Sequence, residues 1–351
     1  MTHATGVNVP SRIVAAVMAA GLGLVTPHAA SGQSKPQSTT ATPARSTPKQ
    51  TYTANSAAAR RAQAARSRAL SRARQLLDVQ TPRFRVDESG HEVPDVRAEA
   101  AIIYDPQTNE VLWASNAEAE RSIASITKVM TALVFLESGV EGAREVTVQR
   151  ADVSRASTTY LAAGYKVTSD DLLHLLLIGS DNAAARALAR ISPYGSAGFI
   201  DRMNEKASML GLTTTHYEDP SGLLAANVSS AHDMARLIAY AAADERIGGI
   251  MRKSSYVMRV GKRTVTVSST NELVKTGDID VVGGKTGFIN RSGYCLATLL
   301  RLPQTNHPVA VVVLGAKSNP ARFWETRHLF NWFATRAKAA MGAADSHQPQ
   351  Q

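Results

Sequence analysis

Residues 122–137 read SIASITKVMTALVFLE, and they set a condition that any fold of this chain must meet. Lys128 stands at the head of an apolar run, Val129 to Leu136, three positions after Ser125. On a helix, positions three apart share a face, with Cβ atoms about 5–6 Å apart. The lysine amine therefore reaches the serine oxygen. Val129, Met130, Leu133 and Val134 surround it with apolar surface. Desolvation disfavours an ammonium and lowers its pKa. A neutral amine is a competent base for a serine hydroxyl. The free N–H groups of a helix start face any negative charge that develops there. Taken alone, these residues also describe an N-cap serine followed by a snorkelling lysine.

Two further stretches carry reactive side chains. In GSDNAAARAL, residues 179–188, Ser180 and Asn182 flank Asp181 between two helical runs. The serine offers a hydroxyl that relays a proton, and the asparagine offers a donor and an acceptor for a peptide amide. A plain helix cap uses the same residue types. In GGKTGF, residues 283–288, Lys285 supplies a fixed cation and Thr286 a hydroxyl, both suited to a carboxylate. Gly287 has no Cβ, so another backbone can lie alongside, and an edge strand here would take a peptide by strand addition. The ending G-K-T also belongs to phosphate-binding loops, but their first glycine would fall on Ile279, which excludes a nucleotide site.

Length and charge narrow the setting. The 351 residues are 44% hydrophobic, enough for a sizeable core. Arg12 precedes the 13-residue apolar run IVAAVMAAGLGLV and then Ala29, Ala30 and Ser31, the pattern of a secretory signal peptide over 1–31. An uncleaved anchor is the alternative. The run is short for a membrane span of about 20 residues. Cys295 is the single cysteine, so no internal disulfide staples the chain, and its strand-like surroundings suit a small buried hydrophobe. Of the +10 net charge, residues 32–96 hold 11 Lys/Arg against 5 Asp/Glu, while residues 97–351 hold 27 against 24. A nearly neutral body argues against nucleic acid as a partner. Residues 32–96 read as a disordered basic linker, polar and Pro-punctuated to residue 56. Within it 57–77, rich in Ala and Arg, can form a helix that is either a solvated spacer or a contact for anionic wall polymer or a membrane surface.

A folded domain is expected over 97–340, with a polar tail at 341–351. AEAAIIYDPQTNEVLWAS reads as two strands around a turn, and Thr168 to Leu210 is helical in pattern. SSAHDMARLIAYAA is a helix capped by Ser229 or Ser230. SSYVMRV and RTVTVSS look like a hairpin around Gly261 and Lys262. VVGGKTGFI, GYCLATLL and PVAVVVLGA follow as strands, and NPARFWETRHLFNWFATRAKAA closes as an amphipathic helix. The fold class is α+β: an antiparallel sheet flanked by helices, its first and last segments in one sheet, with a helical insertion.

The order S-x-x-K, S-D-N, K-T-G, with 55 and 105 residues between motif starts, matches the trio of penicillin-binding proteins and class A β-lactamases. From about 97 to 337 the chain resembles the low-molecular-mass penicillin-binding proteins, serine-type D-alanyl-D-alanine carboxypeptidases and endopeptidases. SIASITKVMTA, SDNAAA, DPSGL and GGKTGF carry the likeness. The resemblance implies a β-lactamase/transpeptidase-like fold. It implies Ser125 as acylated nucleophile, Lys128 as its base, and Ser180 and Asn182 completing proton transfer and holding the substrate amide. It implies that Lys285 and Thr286 orient the substrate and assist the second proton transfer, with the backbone amides of Ser125 and Phe288 as an oxyanion hole. Arg322 falls where carboxypeptidase relatives keep a carboxylate-binding arginine, although an exposed helix arginine is the simpler account.

Within that family the candidates separate on a few residues. Class A β-lactamases use a loop glutamate with an asparagine four residues on, whereas Glu218 is followed by Gly222 and Leu223. Only 63 residues follow Phe288, too few for the separate β-rich domain of the carboxypeptidase type. The soluble D-alanyl-D-alanine endopeptidase is therefore the leading expectation and the carboxypeptidase the second. A non-catalytic wall-binding module would not need every reactive side chain, and an esterase would not need Lys285. The resemblance implies peptidoglycan stem peptides as substrate, β-lactams as covalent inhibitors, no cofactor, and a periplasmic or cell-wall location. His174, His216, His232, His307 and His328 lack metal-ligand spacing, so no metal site is expected.

Overall fold

The computed structural model describes residues 54–260 and 263–345. The expected signal peptide, the linker up to residue 53, the turn at 261–262 and the last residues of the tail lie outside them. The chain divides into two units between Ala59 and Arg60. The described part of the first is the opening of helix α1 (Ala54–Gln80), and the second holds the sheet and the remaining helices.

The runs that read as strands build one antiparallel five-stranded sheet. Its members are β1 (Ala100–Asp105), β2 (Glu110–Ser115), β3 (Val281–Ile289), β4 (Gly293–Arg301) and β5 (Pro308–Ala316). Their spatial order is β3-β4-β5-β1-β2, so the first and last segments share one sheet and β3 is an edge strand. Thr286 faces Leu296, Gly287 faces Cys295 and Phe288 faces Tyr294 across the β3–β4 pair.

Strand β5 explains the layering. Val309 to Ala316 are buried without alternation, which requires cover on both faces. Ala310, Val312 and Leu314 join one apolar cluster, with Ile102. Val309, Val311 and Val313 join the other, with Ile103. The period of two sends successive side chains to opposite faces. The first cluster is completed by a helical insertion between β2 and β3. That insertion holds α2 (Lys128–Glu137), α3 (Ser169–Leu177), α4 (Asn182–Ile191), α5 (Gly195–Met209), α6 (Ala231–Ala243) and α7 (Glu245–Met251). The second cluster is covered by α8 (Asn319–Asp345), through Phe323, Leu329 and Phe330. Ser230 caps α6, its hydroxyl accepting from Asp233 N at 3.1 Å.

Ordered structure begins earlier than Arg97. Phe84–Val86 and Glu92–Pro94 pair antiparallel, and Val93 is buried in the cluster under α8. The polar composition of 32–96 hides these few apolar anchors. The expected hairpin is present as Ser255–Val260 paired with Arg263–Ser268. Among the described residues no helix is long and apolar enough to cross a membrane.

Candidate active site

Ser125 sits in a 3-10 turn, Ala124–Thr127, that runs straight into α2. Ala124 before it has φ 48°, a left-handed conformation that is costly for alanine. Two glycines hold that turn in place. A Cβ on Gly222 would lie 2.0 Å from Ala124 O, and Gly222 itself has φ +77°. A Cβ on Gly287 would lie 2.6 Å from Ile123 O and 3.3 Å from Ser125 N. Strand β3 and the 219–224 loop therefore close on the serine's backbone at distances no side chain would permit.

Lys128 is fully buried, at 0% exposure. Its Nζ lies 2.9 Å from Ser125 Oγ. It donates to Asn182 Oδ1 at 2.7 Å and to Ser221 O at 2.5 Å. Burial pushes this amine down to about 7, against the pull of Asp219 and Asp181. A neutral amine has two N–H donors and one lone pair. The two carbonyl oxygens take the donors, and the lone pair is left for the Ser125 hydroxyl.

The second motif stands on a strained corner between α3 and α4. Ser180 has φ 58°. Asp181, fully buried, caps α4 by accepting from Ala184 N at 2.9 Å and also accepts from Tyr160 N at 2.6 Å. The cap reading thus holds for Asp181, while its neighbours face the site. Asn182 offers Oδ1 to Lys128 and donates through Nδ2 to Ala156 O at 2.6 Å and Ser157 Oγ at 3.3 Å.

The third motif faces them from β3. Lys285 Nζ donates to Ser180 Oγ at 2.8 Å and to Thr286 O at 2.9 Å. Thr286 Oγ1 lies 2.7 Å from Thr270 Oγ1. Lys285 is buried, at 1% exposure. No carboxylate pairs with it among the described contacts. Burial, Lys128 and Arg322 all push its pKa down. Phe288, 45% exposed, stacks on Tyr294 with centroids 4.2 Å apart.

Arg322 is not the exposed helix arginine of the simpler account. It is buried and donates to Gly287 O at 3.0 Å and Cys295 O at 3.3 Å, and Asn319 Oδ1 accepts from it too. Burial brings it down to about 10. Its Nη1 donates to backbone carbonyls of β3 and β4, which fixes the edge strand and adds positive potential next to Thr286, while its Nε is buried without a hydrogen-bond partner among the described residues.

Residues of the DPSGL stretch do work that no reactive motif announced. Asp219 Oδ1 accepts from Ser221 N at 2.6 Å and Gly222 N at 2.9 Å, and its Oδ2 accepts from Leu224 N at 2.7 Å. Asn227 donates to Asp219 O at 2.8 Å and to Thr127 Oγ1 at 3.0 Å. Thr131 donates to Pro220 O at 2.6 Å. The loop is thereby tied to α2, and Ser221 O is aimed at Lys128. An Asp-Pro-Ser-Gly turn was the visible signal, since Asp at such a position folds back on its own backbone. Asp219→Asn keeps the shape but weakens charge-assisted bonds. We expect acylation to slow by about tenfold, and thermal unfolding to shift by a loss of ~1–2 kcal/mol. Stopped-flow acylation and calorimetry check both. Glu218 is exposed and bonded to His216 at 2.8 Å, so it is no deacylating base beside Ser125. Among the described residues no cluster of His, Cys, Asp and Glu could hold a metal ion.

A buried amine at a helix start between a serine and an asparagine, facing an edge strand that carries K-T-G, is the arrangement of the serine D,D-peptidases. The chain belongs to the D-alanyl-D-alanine carboxypeptidase family, whose model matches residues 87–318. It is 32% identical over 242 residues to the D-alanyl-D-alanine endopeptidase of Haemophilus influenzae, covering 68% of this chain and 83% of that protein. It is 31% identical over 262 residues to the enzyme of the same name from Escherichia coli, covering 73% and 84%. The crystal structure of a Streptomyces DD-transpeptidase superposes with TM-score 0.64 at 29% identity, covering 68% of this chain and 97% of that one.

Proposed function

We propose that this protein is an exported serine D-alanyl-D-alanine endopeptidase that cuts peptidoglycan cross-bridges through an acyl-enzyme on Ser125. The observation that carries it is Lys128 Nζ, buried at 2.9 Å from Ser125 Oγ with both carbonyl acceptors in place. Lys128 takes the Ser125 hydroxyl proton as the serine oxygen attacks the scissile carbonyl carbon. The oxyanion accepts from the backbone N–H groups of Ser125 and Phe288. The carbon–nitrogen bond then breaks, and the leaving amine takes a proton through Ser180, which Lys285 contacts at 2.8 Å. Water hydrolyses the ester and frees Ser125.

Substrate lies along the free edge of β3 as an added strand. Its carboxylate meets Lys285 and Thr286, and its negative charge favours the ammonium form of Lys285 against the pull of burial. The substrate amide replaces Ser157 Oγ, the longer partner of Asn182 Nδ2 at 3.3 Å. Arg322 acts here by holding Gly287 and by its field. β-Lactams are covalent inhibitors in the same reading. Export follows from the signal at 1–31 and places the enzyme in the periplasm or cell-wall space. The exposed arginines of α1 within 57–77 are offered to anionic wall polymer or a membrane surface.

The family description favours a second reading, removal of a terminal D-alanine. Purified muropeptides separate the two. Conversion of cross-linked dimers to monomers is the expected result. Loss of a terminal D-alanine from pentapeptides, with dimers untouched, would establish the carboxypeptidase instead.

A further inference from the structure

The end of the edge strand opens into a cavity of about 360 Å³ beyond Phe288, lined by Glu99, Arg121, Asn290, Arg291, Tyr294 and Lys317. Three cations face one carboxylate there. Glu99 is shared, pairing with Lys317 and lying 3.9 Å from Arg121 Nη1. Among the described residues Arg121 Nε is buried without a hydrogen-bond partner, and Arg291 lines the cavity as an exposed cation. A Cβ on Gly315 would lie 2.7 Å from Glu99 Cγ and 3.1 Å from Arg121 Nη2. The glycine floor thus lets both side chains fold over β5. Arg121 also stands only four residues before Ser125.

Strand direction relates this cavity to the substrate, and the step rests on the function proposed above. A substrate carboxylate at Lys285 and Thr286 with its scissile carbonyl at Phe288 runs antiparallel to β3. The residue preceding the scissile D-alanine then lies about 3.4 Å further on, beside the 290–292 turn at the cavity mouth. We infer that this cavity is an anion subsite, reading a free carboxylate on the side chain of the residue before the scissile D-alanine. The substrate class it selects is a stem peptide with a diaminodicarboxylate at that position, over one with a neutral diamine or an amidated carboxyl.

Two synthetic D-alanyl stem peptides test it, identical except that this carboxylate is free in one and a carboxamide in the other. The wild-type enzyme should favour the free acid by about tenfold in kcat/KM, the size of a lost charge-assisted hydrogen bond. Arg291→Gln should reduce that preference and Arg291→Glu reverse it. Arg291 is exposed, so neither change threatens the fold. Wild-type rates equal for the two peptides, or a preference that survives Arg291→Glu, would overturn the subsite. Penicillin acylation of Ser125 does not use the cavity. A chain labelled by penicillin yet indifferent to the carboxylate loses the subsite alone, and an unlabelled chain loses the proposed function.

Discussion

Lys128→Arg should leave Ser125 all but unreactive toward penicillin, with acylation slowed roughly 10²–10⁴-fold, the usual worth of a positioned base. Two physical effects act together. A guanidinium stays protonated at any pH the protein survives, so it offers no lone pair to the serine hydroxyl. It is also planar and broad, whereas the site presents acceptors close around one nitrogen, at 2.7 and 2.5 Å. The lysine fits because burial brings its amine to about 7, so an appreciable fraction is neutral at physiological pH. Arginine would have to bury its charge there. Covalent labelling with fluorescent penicillin measures the effect, and Ser125→Ala, which removes the acceptor of the label, gives the baseline. A Lys128→Arg protein that labels at the wild-type rate would take this amine out of the reaction.

Gly222→Ala should be among the most damaging single-methyl changes in the chain. The new Cβ would stand 2.0 Å from Ala124 O and 2.9 Å from Ser125 N, and both atoms are backbone. No rotamer change relieves that clash. The φ of +77° adds a conformational cost for any residue with a Cβ. We expect a loss of ~2–4 kcal/mol in stability. The 3-10 turn and the 219–224 loop would have to part, which also carries Ser221 O away from Lys128. Melting temperature and acylation rate should therefore fall together. An unchanged melting temperature would mean that the loop and the turn are not packed as described. Gly287→Ala meets Ile123 O at 2.6 Å and should show the same pairing of effects from the other side.

The three reactive motifs were legible because each joins a reactive side chain to a local pattern. Ser125 and Lys128 share a helix face, Asp181 caps α4, and Lys285 rides an edge strand whose partner β4, like β5 beyond it, is a plain apolar run. The supports of the site were not legible, since their partners lie far along the chain. Asn227 reaches Thr127 across 100 residues, and Ser221 O serves Lys128 across 93. Ala124 at positive φ carries no sequence signal, because alanine is not a residue that seeks that conformation. Arg322 stayed open between a carboxylate-binding arginine and an exposed helix residue because nothing local shows that α8 presses it onto the Gly287 and Cys295 carbonyls. The burial of Lys285 was hidden for a similar reason. Its burial beside Lys128 and Arg322 follows from the closing of β3 on the insertion, not from its neighbours in sequence. Residues 84–96 were masked by the polar composition around Val93.

The Lys128 amine itself is the most direct place to look, by isotope-edited NMR of a lysine-labelled protein across pH 5–11, with Lys128 assigned by its loss in Lys128→Arg. Its resonance should titrate near 7, well below the ordinary value of 10.5, and the rate of acylation by penicillin should rise with pH through the same midpoint as the amine loses its proton. A Lys128 that titrates near 10.5, or an acylation rate flat across the neutral range, would contradict the account.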